Sequence, residues 1–137
     1  MFISYASQYF SGFSNFSYHT VSIKSFGIFP TSEAAFQAYK DPYNKKYVNS
    51  QIHSKSPLHS KYLGSIANVR KDWEQVRDDL LFNILVMKFD QHSYIKDNLI
   101  NTGLSSIIHR EKGNETGLNT LGKLLCLLRS KFYNETN

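Results

Sequence analysis

The segment FPTSEAAFQAYK, residues 29–40, brings a carboxylate, a carboxamide and an amine to one side of a helix. At about 100 degrees per residue, positions 33, 37 and 40 fall within about 60 degrees of one another, so Glu33, Gln37 and Lys40 form one polar stripe. Ala34, Ala35, Ala38 and Tyr39 take the other side. Taken alone, the stripe has two uses. On a surface it is a solvated face with a Glu-to-Lys separation that supports the helix. In a cleft, a carboxylate and an amine facing the same space can share acid–base or nucleophilic work once burial moves their pKa values.

Other spacings carry less. GLNTLGKL at 117–124 sets Gly117, Gly122 and Lys123 at P-loop separation, but Leu124 stands where a Ser or Thr must hold magnesium, and HREKGNET is no buried apolar strand. The segment reads as a helix entry that glycine permits, with Asn119 as cap. The five histidines, at 19, 53, 59, 92 and 109, lack paired spacing and nearby acidic or cysteine ligands, so neither a metal nor a cofactor is expected. Trp73 heads an apolar stripe and suits the core as well as a ligand wall.

The elements that must hold these groups follow from period and punctuation. Short alternations at 2–5 and 21–23 predict strands, and SFG at 25–27 a turn. Pro30 with Thr31 or Ser32 opens the helix that carries the stripe, and Asp41-Pro42 closes it near Lys40. Residues 43–60 are polar and predict a loop, with room for a short helix inside. A short helix is expected from Lys61, with Tyr62, Ile66 and Val69 on one face. Asp72 is placed to cap a longer one, whose Trp73, Val76, Leu80, Ile84 and Met87 recur every three or four residues. Another short helix, about 93–101, stops at Gly103. An Ile-rich extended piece and a charged loop lead to a last helix bearing Leu121, Leu124, Leu125, Leu128 and Phe132, with a polar NETN tail expected to fray.

At 137 residues and 41% hydrophobic content, the chain is the size of one domain spanning 1–137. No run reaches the roughly 18 apolar residues of a bilayer span, and the start lacks the pattern of a signal peptide. Its single cysteine, Cys126, fits a reducing compartment, so a soluble cytoplasmic protein is expected, with no membrane partner. The net charge of +5 favours anionic partners, but the basic residues are scattered, which suits a phosphate pocket better than a nucleic-acid surface. Residue physics thus reaches a small basic α+β domain.

Set in order, the motifs resemble the NADAR superfamily, which includes the YbiA-like N-glycosidases. The resemblance rests on FSNF at 13–16, FPTSEAAFQAYK at 29–40, KDWEQVRDDLLFNILVMKF at 71–89, TGLSSII at 102–108 and GLNTLGKLLCLLR at 117–129. It implies a single NADAR-like α+β domain, with several helices around a small sheet, whose pocket takes ADP-ribose-like or ribosyl-phosphate ligands. ADP-ribosylated nucleic acid is one possible form. In active relatives the bond from an anomeric ribose carbon to nitrogen is cleaved. The resemblance makes Lys40 the nucleophile and Glu33 the proton-transfer group or ribose ligand. It carries over Asn15, Phe16, Thr31, Gln37, Trp73, Glu111 and Asn119 as ligand-binding positions. The interval HREKGNETG departs from the family pattern of an acidic residue followed by Trp-Gly, and Glu111 or Glu115 is the candidate substitute. A site without its acid and lid should bind and turn over poorly. Sequestration of an NAD-derived nucleotide is therefore the first expectation and N-glycosidase activity the second.

Overall fold

A computed structural model describes residues 2–3, 11–109 and 119–136. In chain order these form β1 (Phe2–Ile3), a 3-10 turn (Ser11–Phe13), β2 (Val21–Ile23), β3 (Gly27–Phe29), α1 (Ser32–Ala38), α2 (Lys45–Ile52), α3 (Pro57–Ser65), α4 (Trp73–Gln91), α5 (Ser93–Asn101), β4 (Ile108–His109) and α6 (Thr120–Thr136). The class is α+β. β1 pairs with β4 in parallel, and β2 pairs with β3 antiparallel, Val21 opposite Phe29. Gly27 opens β3 directly after the turn at 24–26, at a φ of +131° where a side chain would be strained. The outer edge of β2 is met by a side chain: Gln91 accepts the Ser22 N–H at 2.8 Å and donates to the Ser22 carbonyl at 2.9 Å.

α1 lies at the centre, and all seven of its residues are buried. Its alanines let neighbouring backbones approach closely, and α3, α2, α4 and β3 surround it. Thr31 caps it, its hydroxyl accepting the Ala34 N–H at 3.1 Å. α6 closes the core with Leu121, Leu125, Leu128 and Phe132, as its period predicts, and α5 ends before Gly103 at a φ of +64°.

Several expectations need correction. The segment 43–60 is mostly helical: Asn44 and Ser56 cap α2 and α3 by accepting the N–H of Tyr47 and His59, and Pro57 sits in the first turn of α3. α3 therefore begins before Lys61 and faces the other way. It buries Pro57, Ser60 and Gly64 and leaves Tyr62 and Ile66 60% and 65% exposed. Small residues were the packing face because α1 comes too close for large ones. Val69 lies beyond the helix and is also exposed. Asp72 caps nothing; its carboxylate accepts both Arg70 guanidinium bonds, at 2.6 and 2.9 Å. In α4 the fully buried side runs through Trp73, Leu81, Ile84, Leu85, Lys88 and Phe89, with Val76, Leu80 and Met87 at its margin. The stop of α1 comes two residues early, at Ala38, and α6 runs through most of the tail expected to fray.

Candidate active site

Three elements converge on the polar stripe of α1. Glu33 and Gln37 are 7% and 5% exposed, which excludes the solvated-face alternative. The Gln37 carboxamide donates from Nε2 to Glu33 Oε1 at 2.8 Å, while Gln37 Oε1 is buried without a hydrogen-bond donor. A buried acceptor in that state costs about 1–3 kcal/mol unless a ligand or water serves it. Lys40, one turn on, is half-buried. Its Nζ donates weakly to the Gly64 carbonyl at 3.4 Å and lies 5.8 Å from the Trp73 ring centroid. Burial lowers the Lys40 pKa below its usual value; Glu33 opposes that shift and Arg77 adds to it. The amine is thus easier to deprotonate than a surface lysine, as a nucleophile requires.

α4 supplies the wall. Trp73 is 6% exposed and packs against Phe36 at 5.0 Å between ring centroids, and the Arg77 guanidinium covers the Phe36 ring at 5.8 Å. The loop at 14–17 supplies the third side. The Asn15 carbonyl accepts the Glu33 N–H at 3.1 Å, and Asn15 Oδ1 accepts the Ser32 hydroxyl at 2.9 Å. Phe16 is half-buried beside it, its N–H donated to Ser14 Oγ.

The remaining predicted positions fall elsewhere. Thr31 spends its hydroxyl as the helix cap. Asn119 stands before α6 at a φ of +50° and donates to the Ile107 carbonyl at 2.9 Å; α6 packs on α4, α5 and β4. Glu111 and Glu115 lie outside the described residues. A cavity of about 640 Å³ is lined by Phe26, Tyr39, Tyr43, Lys45 and Arg70 among others. None of the predicted site residues lines it, and it lacks the paired acid and amine of the stripe.

The NADAR domain model matches residues 1–133. The chain belongs to the NADAR family. It is 31% identical over 132 residues to N-glycosidase YbiA of Shigella flexneri, covering 89% of this chain and 81% of that protein. An N-glycosidase of Nostoc punctiforme is 30% identical over 145 residues, covering 93% of this chain and 88% of its own. The riboflavin biosynthesis protein PYRR of Zea mays is 29% identical over 145 residues, which take up 89% of this chain and only 23% of that larger protein. The NMR structure of Escherichia coli YbiA superposes with a TM-score of 0.87 at 27% identity, covering 99% of this chain and 86% of that one.

Two residues of this NADAR chain were missed by sequence reasoning. Gly64 is one: a Cβ there would sit 1.9 Å from Gln37 Oε1 and 2.6 Å from its Cδ. Gly64→Ala is therefore expected to push the Gln37 carboxamide off Glu33, costing about 1–3 kcal/mol as overpacking. Urea unfolding of the two proteins checks it. Lys88 is the other. It is fully buried, and Nζ donates to the Ser14 carbonyl at 2.8 Å, Ser17 Oγ at 3.0 Å and Ser32 Oγ at 3.3 Å. The signal was present in the sequence as a lysine in register with Leu81, Ile84 and Leu85.

Burial lowers Lys88 to about 7, from an unfolded value of 10.5. Between those values the unfolded chain binds the proton and the folded chain does not, so this group makes stability rise with pH across that window. The penalty is present in full below pH 7. Measured by urea unfolding from pH 6 to 10, the stability of the natural protein relative to Lys88→Met should climb by at most about 1.4 kcal/mol per pH unit. A flat difference would place the Lys88 proton equilibrium near that of a solvated lysine.

Proposed function

We propose that the protein is an N-glycosidase acting on the ribose-to-nitrogen bond of an ADP-ribose-type or ribosyl-phosphate substrate. The observation that carries this is the half-buried Lys40 amine, shifted toward its neutral form, on the same helical face as the buried Glu33 and against Trp73. The relatives named N-glycosidase lend the reaction class.

In this mechanism the Lys40 lone pair forms a bond to the anomeric carbon as the bond to the leaving nitrogen breaks. Glu33 takes the proton that the Lys40 ammonium gives up and passes it to that nitrogen. The ribosyl-lysine ring opens to an imine, water adds to the imine carbon, and loss of the amine restores Lys40 and frees the sugar as an aldehyde. Gln37 holds the Glu33 carboxyl through Nε2 and offers Oε1 to a ribose hydroxyl. Asn15 faces a phosphate or ribose oxygen, and Trp73 excludes water beside the amine.

The second proposal is sequestration, favoured by the interval 109–117, in which neither Glu111 nor Glu115 is followed by the Trp-Gly of the family pattern. One experiment separates the two. The protein is incubated with ADP-ribosylated guanine base, and free ADP-ribose is counted per protein molecule. Many equivalents support the glycosidase. Recovery of intact ligand after heat denaturation, with at most one equivalent bound, supports sequestration. No binding at all removes both.

A further inference from the structure

We infer that Lys88 is a positioning residue for the site: it sets the orientation of the Asn15 carboxamide so that Nδ2 is presented to the ligand. The inference rests on the proposed role of Asn15 as a ligand contact. It follows from the direction of the hydrogen bonds. An ammonium group donates three and accepts none. Lys88 is wholly enclosed, its three acceptors are the Ser14 carbonyl, Ser17 Oγ and Ser32 Oγ, and among the described residues no carboxylate pairs with it.

Ser32 Oγ must therefore act as an acceptor toward Lys88, and its single proton is left for another partner. That partner is Asn15 Oδ1 at 2.9 Å, with the Asn15 carbonyl a more distant 3.4 Å. An acceptor oxygen held inward turns the Nδ2 donors outward. Amide orientation is decided by such networks, and here the ammonium form of Lys88 and the shorter of the two Ser32 contacts select the orientation with Oδ1 inward. The same ammonium also reaches the Ser14 carbonyl and the Ser17 hydroxyl, so it ties the loop to α4 on both sides of Asn15. Buried charge without a counter-ion is costly, and a structural role alone would be met more cheaply by an apolar residue at this core position.

The chain of bonds predicts non-additivity. At pH 6, where Lys88 carries its proton, Ser32→Ala and Lys88→Met should each weaken binding of ADP-ribose by about three- to tenfold, the scale of one lost hydrogen bond. Asn15→Ala should weaken it similarly, and adding either change to Asn15→Ala should cost nothing more. A second readout needs no ligand: the side-chain amide signals of Asn15 in nitrogen-15 spectra of the free protein should move in both Ser32→Ala and Lys88→Met. If ADP-ribose fails to bind the natural protein, the proposed ligand class falls and the amide signals still decide the positioning role. If Lys88→Met does not fold, Ser32→Ala carries the test. Additive losses, or a folded Ser32→Ala with unmoved Asn15 amide signals, would overturn the inference.

Discussion

Borohydride added during turnover is expected to trap a stable adduct on Lys40, with the mass of the ribosyl group, in the natural protein and not in Lys40→Arg. Reduction of the open-chain imine fixes the bond that hydrolysis would otherwise break. Arginine keeps the charge and much of the length but stays protonated at any working pH, so it cannot attack. Turnover should fall by at least about 10³-fold in Lys40→Arg and Lys40→Ala alike, since removing a nucleophile removes the whole route. Binding should separate the two variants. Lys40→Arg retains most of the affinity for ADP-ribose, and Lys40→Ala loses about 1–3 kcal/mol of a charge-assisted contact. Multiple turnovers in Lys40→Arg would remove Lys40 from the chemistry. No adduct in a protein that binds tightly would favour sequestration.

The largest effect on stability is expected at Trp73. It is 6% exposed, sits at the start of α4 and packs against Phe36 of α1, so its ring joins the two helices that frame the site. Truncation to alanine should cost about 3–5 kcal/mol from lost transfer energy and the cavity left behind. In a chain of this size that lowers Tm by roughly 10–20 °C. The variant should also lose the aromatic face beside Lys40, raising the amine toward its ordinary pKa by admitting water. Thermal unfolding followed by circular dichroism gives the first quantity. A loss below about 1 kcal/mol would show that the ring contributes little to the core and serves the ligand instead.

What the sequence made legible depended on which face an element buries. α4, α5 and α6 bury large apolar residues at regular intervals, and their periods locate them closely. α3 buries Pro57, Ser60 and Gly64 and exposes Leu58, Tyr62 and Ile66, so its hydrophobic pattern points away from the core. No period rule recovers such a helix, because the reason for small residues lies in the nearness of α1. The stripe of Glu33, Gln37 and Lys40 was placed on one face by spacing alone. Its burial was not, since α1 is enclosed on every side and offers no polar exterior for contrast. The FSNF motif marks Asn15 alone; its link through Ser32 to Lys88 spans 73 residues of sequence and leaves no local trace.

The Gln91 amide at the edge of β2 has a consequence for how copies of the protein meet one another. An open strand edge is a template on which a second molecule can add its own strand, the first step of fibrous or amorphous aggregation. Val21 and Ile23 are β-branched, Ser22 between them is uncharged, and the outward N–H and carbonyl of Ser22 are the groups an incoming strand would seize. Gln91 occupies both, imitating one residue of a neighbouring strand without supplying a next one. The edge is thus terminated by a side chain that cannot propagate a sheet, and the groups a second molecule would need at Ser22 are already taken by a carboxamide at the end of a helix.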